Sequence, residues 1–272
     1  MNNKIETQFL YPCIKWIGGK SLQTKTIIPK IIEKMKKNDS KIYYEPFVGG
    51  GSIIIELLKQ VHKNNIKNVS FYCSDINENL IRMYNEIKSN CSELIEKLKK
   101  YLDKDNEKDY NHIRKEFNEN PCTEQFIYLN KRCFRGLYRV NKKGMFNSSY
   151  NKMKNPPLFD ENNLLQLSSI FNEYDVKFEC IDFFRINFQN CSTYFDPPYF
   201  KAFNEYSSNV FDHSEYVKRL RELNSRNDVH LIHSNSNEFQ TIYSDQIPII
   251  VNVQERMNCQ KQNSRRFELL FS

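Results

Sequence analysis

Residues 41–75 constrain the fold of this chain more than any other stretch. Ile42 to Glu45 is a short β-forming run, Gly49-Gly50-Gly51 follows closely, and IIIELLKQV then carries apolar residues at helical spacing. Val69 to Cys73 is a second β-forming run and ends at Ser74-Asp75. A strand, a glycine loop, a helix and a second strand form one βαβ unit, and such units build a doubly wound sheet that binds ligands beyond the carboxyl ends of its strands. The loop lacks the G-x-G-x-x-G spacing and no Lys-Ser/Thr pair follows it, which disfavours dinucleotide and P-loop readings. Ser52 stands where it can cap the helix. Asp75, at the tip of the second strand, is placed to hold ribose hydroxyls, or alternatively to cap the helix that follows. The unit predicts a nucleoside ligand without a phosphate cradle.

A second constraint lies at Tyr194-Phe195-Asp196-Pro197-Pro198-Tyr199-Phe200. Ser192 to Phe195 reads as a buried strand, and the proline pair ends it because proline cannot donate to a sheet ladder. One carboxylate, one rigid carbonyl and one aromatic face therefore reach the same point. Upstream, Gly18-Gly19-Lys20 lets the backbone approach a ligand beside a lysine, though a turn of this kind is common; Trp16 reads first as a core anchor. Further elements are a helix from Gln23 to Met35, a helix from Asn162 to Phe171 and a strand from Val176 to Cys180 leading to Asp182-Phe183. A phenylalanine-, tyrosine- and serine-rich loop reaches Phe211. Then come a helix from Ser214 to Leu223, a strand from His230 to His233, and an antiparallel pair, Ile249–Val253 with Phe267–Phe271, around a basic loop at 258–266.

Between these α/β halves the pattern is helical and charged from Glu78 to Leu129, too long for one crossover helix. An inserted helical subdomain from about residue 86 is expected, ending in a segment of unusual charge. From Lys131 to Lys154 there are eight basic residues and no acid, more than the net charge of +7 on all 272 residues. Helix faces normally interleave acids with their lysines. Here the aromatics Phe134, Tyr138, Phe146 and Tyr150 are interleaved instead, which suits a polyanion whose bases can stack. Arg139 to Phe146 reads as a hairpin with its turn at Asn141 to Gly144. The eight cysteines form no C-x-x-C pair and the histidines no ligand spacing; His230 and His233 read as structural. Free thiols in a reducing compartment, no structural metal, no signal peptide and no membrane span are expected, and hence an intracellular protein.

KWIGGK (15–20), EPFVGGGS (45–52), SDIN (74–77), GLYRVNKKGMFN (136–147) and DPPY (196–199), in this order, resemble the DNA adenine N6-methyltransferase (Dam) family across nearly the whole chain. The resemblance implies a Rossmann-like α/β methyltransferase sheet of seven strands, mainly parallel with an antiparallel C-terminal strand. Residues 1–85 and 155–272 would form the catalytic domain and 86–154 an inserted target-recognition subdomain. It implies S-adenosylmethionine as cofactor. Lys20 would meet its carboxylate, and Trp16, Phe47 and Gly49, Gly50 and Gly51 would pack on its amino-acid and nucleoside parts. Asp75 would hold the ribose, Asp182 with Phe183 the adenine edge, and Asp196 would border both sites.

The implied reaction is methyl transfer to the N6 amine of an adenine flipped out of duplex DNA. Asp196 and the Pro197 carbonyl would accept its N–H bonds, Pro198 would stiffen the turn, and Tyr199 would stack on the base. Arg139 would read a guanine, Lys15 another guanine edge, and Leu137 would fill the vacated stack. Arg135, Asn141, Lys142, Lys143, Asn147 and Lys152 would complete the DNA contacts. The family's common target, GATC, is the expected site. The chain departs from the family's F-N-x-P-x-G, with Ser149 for proline and Asn151 for glycine, and Arg135 stands where asparagine is frequent. A monomer or weak dimer is expected. The alternatives are methylation of cytosine N4 or RNA adenine, and a catalytically silent DNA-binding protein.

Overall fold

Strands β1 (Ile42–Glu45), β2 (Ser70–Asp75), β3 (Lys177–Cys180), β4 (Cys191–Phe195) and β5 (Val229–Ser236) run parallel. Strand β7 (Arg266–Phe271) is antiparallel to β5, and β6 (Ile249–Val253) is antiparallel to β7. The order across the sheet is β3-β2-β1-β4-β5-β7-β6, in a computed structural model that describes residues 5–200, 211–253 and 266–271. The mainly parallel seven-stranded sheet is the one the sequence predicts. The loop before Phe211 and most of the basic loop at 258–266 lie outside the described residues.

The direction of winding reverses at β1. The chain moves outward through β2 and β3 on one side, then returns to lay β4 and β5 on the other. Such a switch point opens a crevice between neighbouring strand ends. Glu45 and Phe195, the last residues of β1 and β4, stand at its two edges.

Both faces of the sheet are covered, which is why the central strands are buried. Within β4 the pleat sends Tyr194 into one apolar cluster, and Cys191 and Phe195 into the other. The first cluster collects α1 (Thr24–Lys37), α2 (Ser52–Lys63), α3 (Glu78–Ser89) and α7 (Glu161–Glu173), together with α4 (Cys91–Lys99), α5 (Glu107–Glu119) and α6 (Thr123–Arg132). The second collects α8 (His213–Asn224) and the 183–188 segment. Residue 86, the expected start of the insertion, lies inside α3, which packs on β2 and β3.

Helix starts follow local chemistry. Asn77, Asn106, Asp160 and Asp212 each accept a backbone N–H of the first turn they precede. Ser52 does not cap α2 as expected: Gly51 holds the cap position at φ +78°, and Ser52 is the first helical residue, its hydroxyl hydrogen-bonded to Ser21. The helix capped after Asp75 is likewise capped by Asn77, while Asp75 accepts the N–H of Asn77. Strand β5 runs three residues past its expected end because β7 pairs with it from His233 to Ser236.

His233 is a structural residue. Its ring stacks on Phe271 with centroids 4.4 Å apart and planes 3° from parallel. Neither ring nitrogen finds a partner among the described residues, and burial pulls its pKa down to about 3. The unfolded chain therefore protonates this site from pH ~6.5 downward while the folded protein does not, so its contribution is complete above pH ~6.5 and lost as pH falls toward 3. Relative to His233→Phe, the native protein should lose about 1.4 kcal/mol per pH unit in that window. Urea midpoints of both proteins at pH 7 and pH 5 test this; parallel shifts would refute it.

Candidate active site

A cavity of about 610 Å³ opens beyond the carboxyl ends of β1, β2 and β4. Trp16 and the Gly18-Gly19-Lys20 turn form one wall, residues 45–50 another, and Asp75 to Asn77 a third. Asp182 to Phe184, Tyr194 and Asp196 to Tyr199 complete it, with Phe211, Asp212 and Glu215 at the side of α8. Nearly all the residues expected at the cofactor and the reacting amine therefore border one space. Gly51 does not; it turns the chain into α2 beneath the Tyr84 hydroxyl.

The three glycines are needed first by the protein itself. A Cβ on Gly49 would lie 2.9 Å from Trp16 Cδ1, and one on Gly50 2.9 Å from Trp16 Cβ. The Trp16 ring thus lies across the loop; it also stacks on Tyr138 at 5.5 Å and 27° and meets the Phe126 ring at 6.3 Å. Tyr138 also lines the cavity, which carries the hairpin to the site's edge.

Lys20 is 2% exposed. Its ammonium pairs with Asp196 Oδ2 at 2.7 Å, donates to the Gly18 carbonyl at 2.7 Å and lies 4.8 Å from the Tyr199 ring centroid. A second carboxylate, Glu268 of β7, stands 3.9 Å away. The lysine is therefore directed at Asp196 rather than left open for a ligand carboxylate. Asp196 Oδ1 is buried and has no hydrogen-bond partner among the described residues. Burial pushes the Asp196 and Glu268 carboxyls up, and Lys20 and the neighbouring Tyr199 phenol draw both part of the way back. Burial also holds Glu45 well above the usual carboxylate range, beside the Tyr43 phenol that donates to it at 3.1 Å. The phenol of Tyr199 is pushed up by burial and then by the Asp196 and Glu268 charges.

Asp75 accepts Gly49 N–H at 3.2 Å through one oxygen and Asn77 N–H at 3.0 Å through the other. Each oxygen keeps a lone pair for further bonds. Asp182 is tied to Phe184 N–H at 2.9 Å. Phe183 is only 2% exposed and packs 5.0 Å from both Phe47 and Phe195, so it backs the aromatic wall.

The expected DNA-contacting residues form a second group. Asn130 grips the Lys15 peptide from both sides, accepting its N–H at 2.9 Å and donating to its carbonyl at 2.7 Å. Gly136 is where the Lys15 side chain crosses the hairpin's base, since a Cβ there would fall 2.6 Å from it. Arg135 sits at φ +58° with its guanidinium 5.1 Å from the Phe134 ring. Leu137 is half-buried and accepts the Ser148 hydroxyl through its carbonyl. Arg139 donates Nε–H to Asn147 Oδ1 at 2.9 Å. The turn is closed by Gly144 N–H to Asn141 O at 2.9 Å, with Lys142 and Lys143 exposed. Lys152 pairs with Glu107 at 3.1 Å.

Two expectations about this segment are corrected. Its aromatics are not a stacking row: Phe146 is 2% exposed in the core, and Tyr150 hydrogen-bonds Asp105, leaving Phe134 as the exposed ring. Nor are all its cations available, because Arg132 is buried against Asp105 and the Pro156 carbonyl. The residues that sequence reasoning missed are Glu45, inside a quoted motif, and Glu268, whose signal was an acid in the apolar run Phe267 to Phe271. Among the described residues no group of histidine, cysteine or carboxylate side chains is placed to hold a metal, and no helix is long and apolar enough to cross a membrane.

Comparison with known proteins agrees with this geometry. A family model described as D12 class N6 adenine-specific DNA methyltransferase matches residues 16–259. Over 240 residues the chain is 38% identical to the type II methyltransferase M.MjaIII of Methanocaldococcus jannaschii, covering 79% of this chain and 81% of that protein. It is 30% identical over 236 residues to the type II methyltransferase M1.LlaDCHI of Lactococcus lactis subsp. cremoris, covering 81% and 77%. With the DNA adenine methylase of Serratia marcescens it shares 27% identity over 240 residues, 82% of each chain.

The Trp16 contact gives a direct test of the loop. Gly50→Ala should destabilise the protein by ~1–3 kcal/mol, the usual cost of overpacking a close contact. Thermal melting reads it, and an unchanged midpoint would show that Trp16 yields freely.

Proposed function

The chain belongs to the D12 class N6 adenine-specific DNA methyltransferases, and from that premise we propose how its residues divide the work and which DNA they act on. The observation that carries the reading is Asp196, with one oxygen held by Lys20 and the other buried without a well-formed hydrogen bond among the described residues. An orphaned buried acceptor costs about 1–3 kcal/mol, a cost that makes sense where a ligand supplies the missing donor. An adenine N6 amine is such a donor.

The methyl donor is S-adenosylmethionine, which supplies a sulfonium methyl group to the reaction. The residues present fit it: a cavity of about 610 Å³ offers the Phe47 ring, the Gly49-Gly50 turn, Asp75 for ribose hydroxyls and Asp182 for the base edge. Phe183 supports the aromatic wall from behind, Trp16 closes the loop, and Gly51 shapes the turn into α2.

The N6 lone pair is delocalised into the purine ring, so the amine is a poor nucleophile. Asp196 Oδ1 and the Pro197 carbonyl accept its two N–H bonds, draw it toward sp³ and aim its lone pair. Lys20 favours the charged form of Asp196 against its burial and orients it, and an acceptor carrying charge makes a bond roughly twice as strong as a neutral one. Pro198 fixes the turn and Tyr199 stacks on the base. Orientation of this kind can supply ~7–11 kcal/mol of the barrier. The amine is out of reach inside a duplex, so the adenine leaves the stack at a cost of a few kcal/mol.

The segment between α3 and α7 reads the DNA. Arg139 takes a guanine in the major groove, Lys15 approaches another, and Leu137 occupies the vacated stack. Arg135, Asn141, Lys142, Lys143, Asn147 and Lys152 line the approach to the duplex. GATC, the common target of the family, is the site we assign, with the Ser149 and Asn151 departures expected to alter one base of it.

Asp196→Ala should retain cofactor binding and lose at least about 1,000-fold in transfer, in keeping with the weight of oriented acceptors at a reacting centre. Labelled S-adenosylmethionine with duplex DNA, plain or pre-methylated at GATC, and with RNA tests both claims. Near-normal turnover of the variant would sink the mechanism, and undiminished incorporation into pre-methylated DNA would sink the GATC assignment.

A further inference from the structure

Three side chains of α5 stand four residues apart on one helical face: Tyr110, Arg114 and Asn118. All three bond to the return arm of the hairpin. The Tyr110 phenol and an Arg114 Nη both donate to the Ser148 carbonyl, at 2.9 and 3.0 Å. Asn118 makes two bonds to one residue, accepting Phe146 N–H at 2.8 Å and donating to the Phe146 carbonyl at 3.0 Å. An asparagine amide used this way imitates a neighbouring strand. The arm bridges Val140 along one edge, and α5 stands where a third strand would stand along the other.

The consequence falls on register. Alternate residues of an extended arm face opposite sides, so a slip by one residue turns every side chain over. With Phe146 held by Asn118, its ring goes into the core beside Phe117 and Tyr138. Asn147, next along, is then turned to take the Arg139 Nε–H at 2.9 Å and to donate its own N–H to the Arg139 carbonyl at 2.9 Å. With Nε so occupied, the guanidinium offers its two Nη groups end-on, a fork that matches the paired acceptors of a guanine edge.

We propose that Asn118 is a specificity-determining positioning residue: it fixes the register of the hairpin's return arm, and through Asn147 the direction in which Arg139 is presented to a base. It acts without touching the DNA. The inference rests on the reading of the hairpin as the DNA reader given above.

The test compares the native protein with Asn118→Ala, Asn118→Asp and Arg139→Ala. Each methylates DNA of mixed sequence, the methylated adenines are mapped, and S-adenosylmethionine affinity and melting are measured alongside. In Asn118→Ala the ratio of methylation at the native site to sites differing by one base should fall about ten-fold, the size of one lost base discrimination. Cofactor affinity should not change. Asn118→Asp keeps the acceptor for Phe146 N–H but loses the donor and sets a carboxylate against the Phe146 carbonyl, so its ratio should fall as well, and it carries the test if the alanine variant fails to fold. A uniform slowing at all sites with an unchanged ratio in both Asn118 variants overturns the proposal. If Arg139→Ala still alters the site profile in that case, Asn118 alone has been misassigned; if it too leaves the profile unchanged, the reading of the hairpin falls with it.

Discussion

The buried pair between Lys20 and Asp196 is the contact on which the rest of the site depends. Removing an ammonium from water costs several kcal/mol and is tolerated only with good geometry and further hydrogen bonds. Lys20 has both, with Asp196 and the Gly18 carbonyl each at 2.7 Å. The pair joins the turn before α1 to the end of β4, and Glu268 brings in β7 from the far side. Parts of the chain nearly 250 residues apart in sequence meet at one charge. Because the lysine occupies only one Asp196 oxygen, the same contact that builds the site leaves the other oxygen without a hydrogen bond among the described residues, which is the acceptor the proposed mechanism uses.

Trp16 performs the corresponding task between the two halves of the molecule. It lies over Gly49 and Gly50 on one side and stacks on Tyr138 on the other. Tyr138 stands between Leu137 and Arg139, so the hairpin proposed to read DNA and the loop proposed to hold the cofactor share one ring as a wall. A shift of the hairpin therefore reaches the cavity without any long pathway. Asn130, gripping the Lys15 peptide next to Trp16, keeps that ring in place.

How much of this was legible in the sequence follows from what is local. The β1–glycine–α2–β2 unit, the strand end at Asp196 and the turn at Asn141 to Gly144 rest on spacing and turn chemistry within about ten residues, and each stands in the structure as expected. Non-local features were not legible. Glu268 approaches Lys20 only because β7 inserts beside β5, and nothing near residue 268 announces that pairing. Composition also misled at one point: Phe146 and Tyr150 sit among lysines and arginines yet face α5 and the core, because an extended arm alternates its faces while a tally does not. Ser52 failed as a cap for a similar reason, since the left-handed Gly51 had already taken that position.

The distribution of charge supports the nucleoside reading independently of any single contact. Among the described residues Glu45, Asp75, Asp182, Asp196, Asp212 and Glu215 line the cavity beside Lys20, with burial holding Glu45 toward its neutral form. The exposed cations Lys142, Lys143 and Lys154 lie outside it, on or near the hairpin. A phosphate is attracted to the second region and repelled by the first. A neutral base suits the first region, as does a cationic sulfonium, whereas the backbone that carries the base does not. The carboxylates of the cavity and the exposed lysines of the hairpin therefore lie in separate regions, the division of charge that the proposed entry of a base without its phosphates would need.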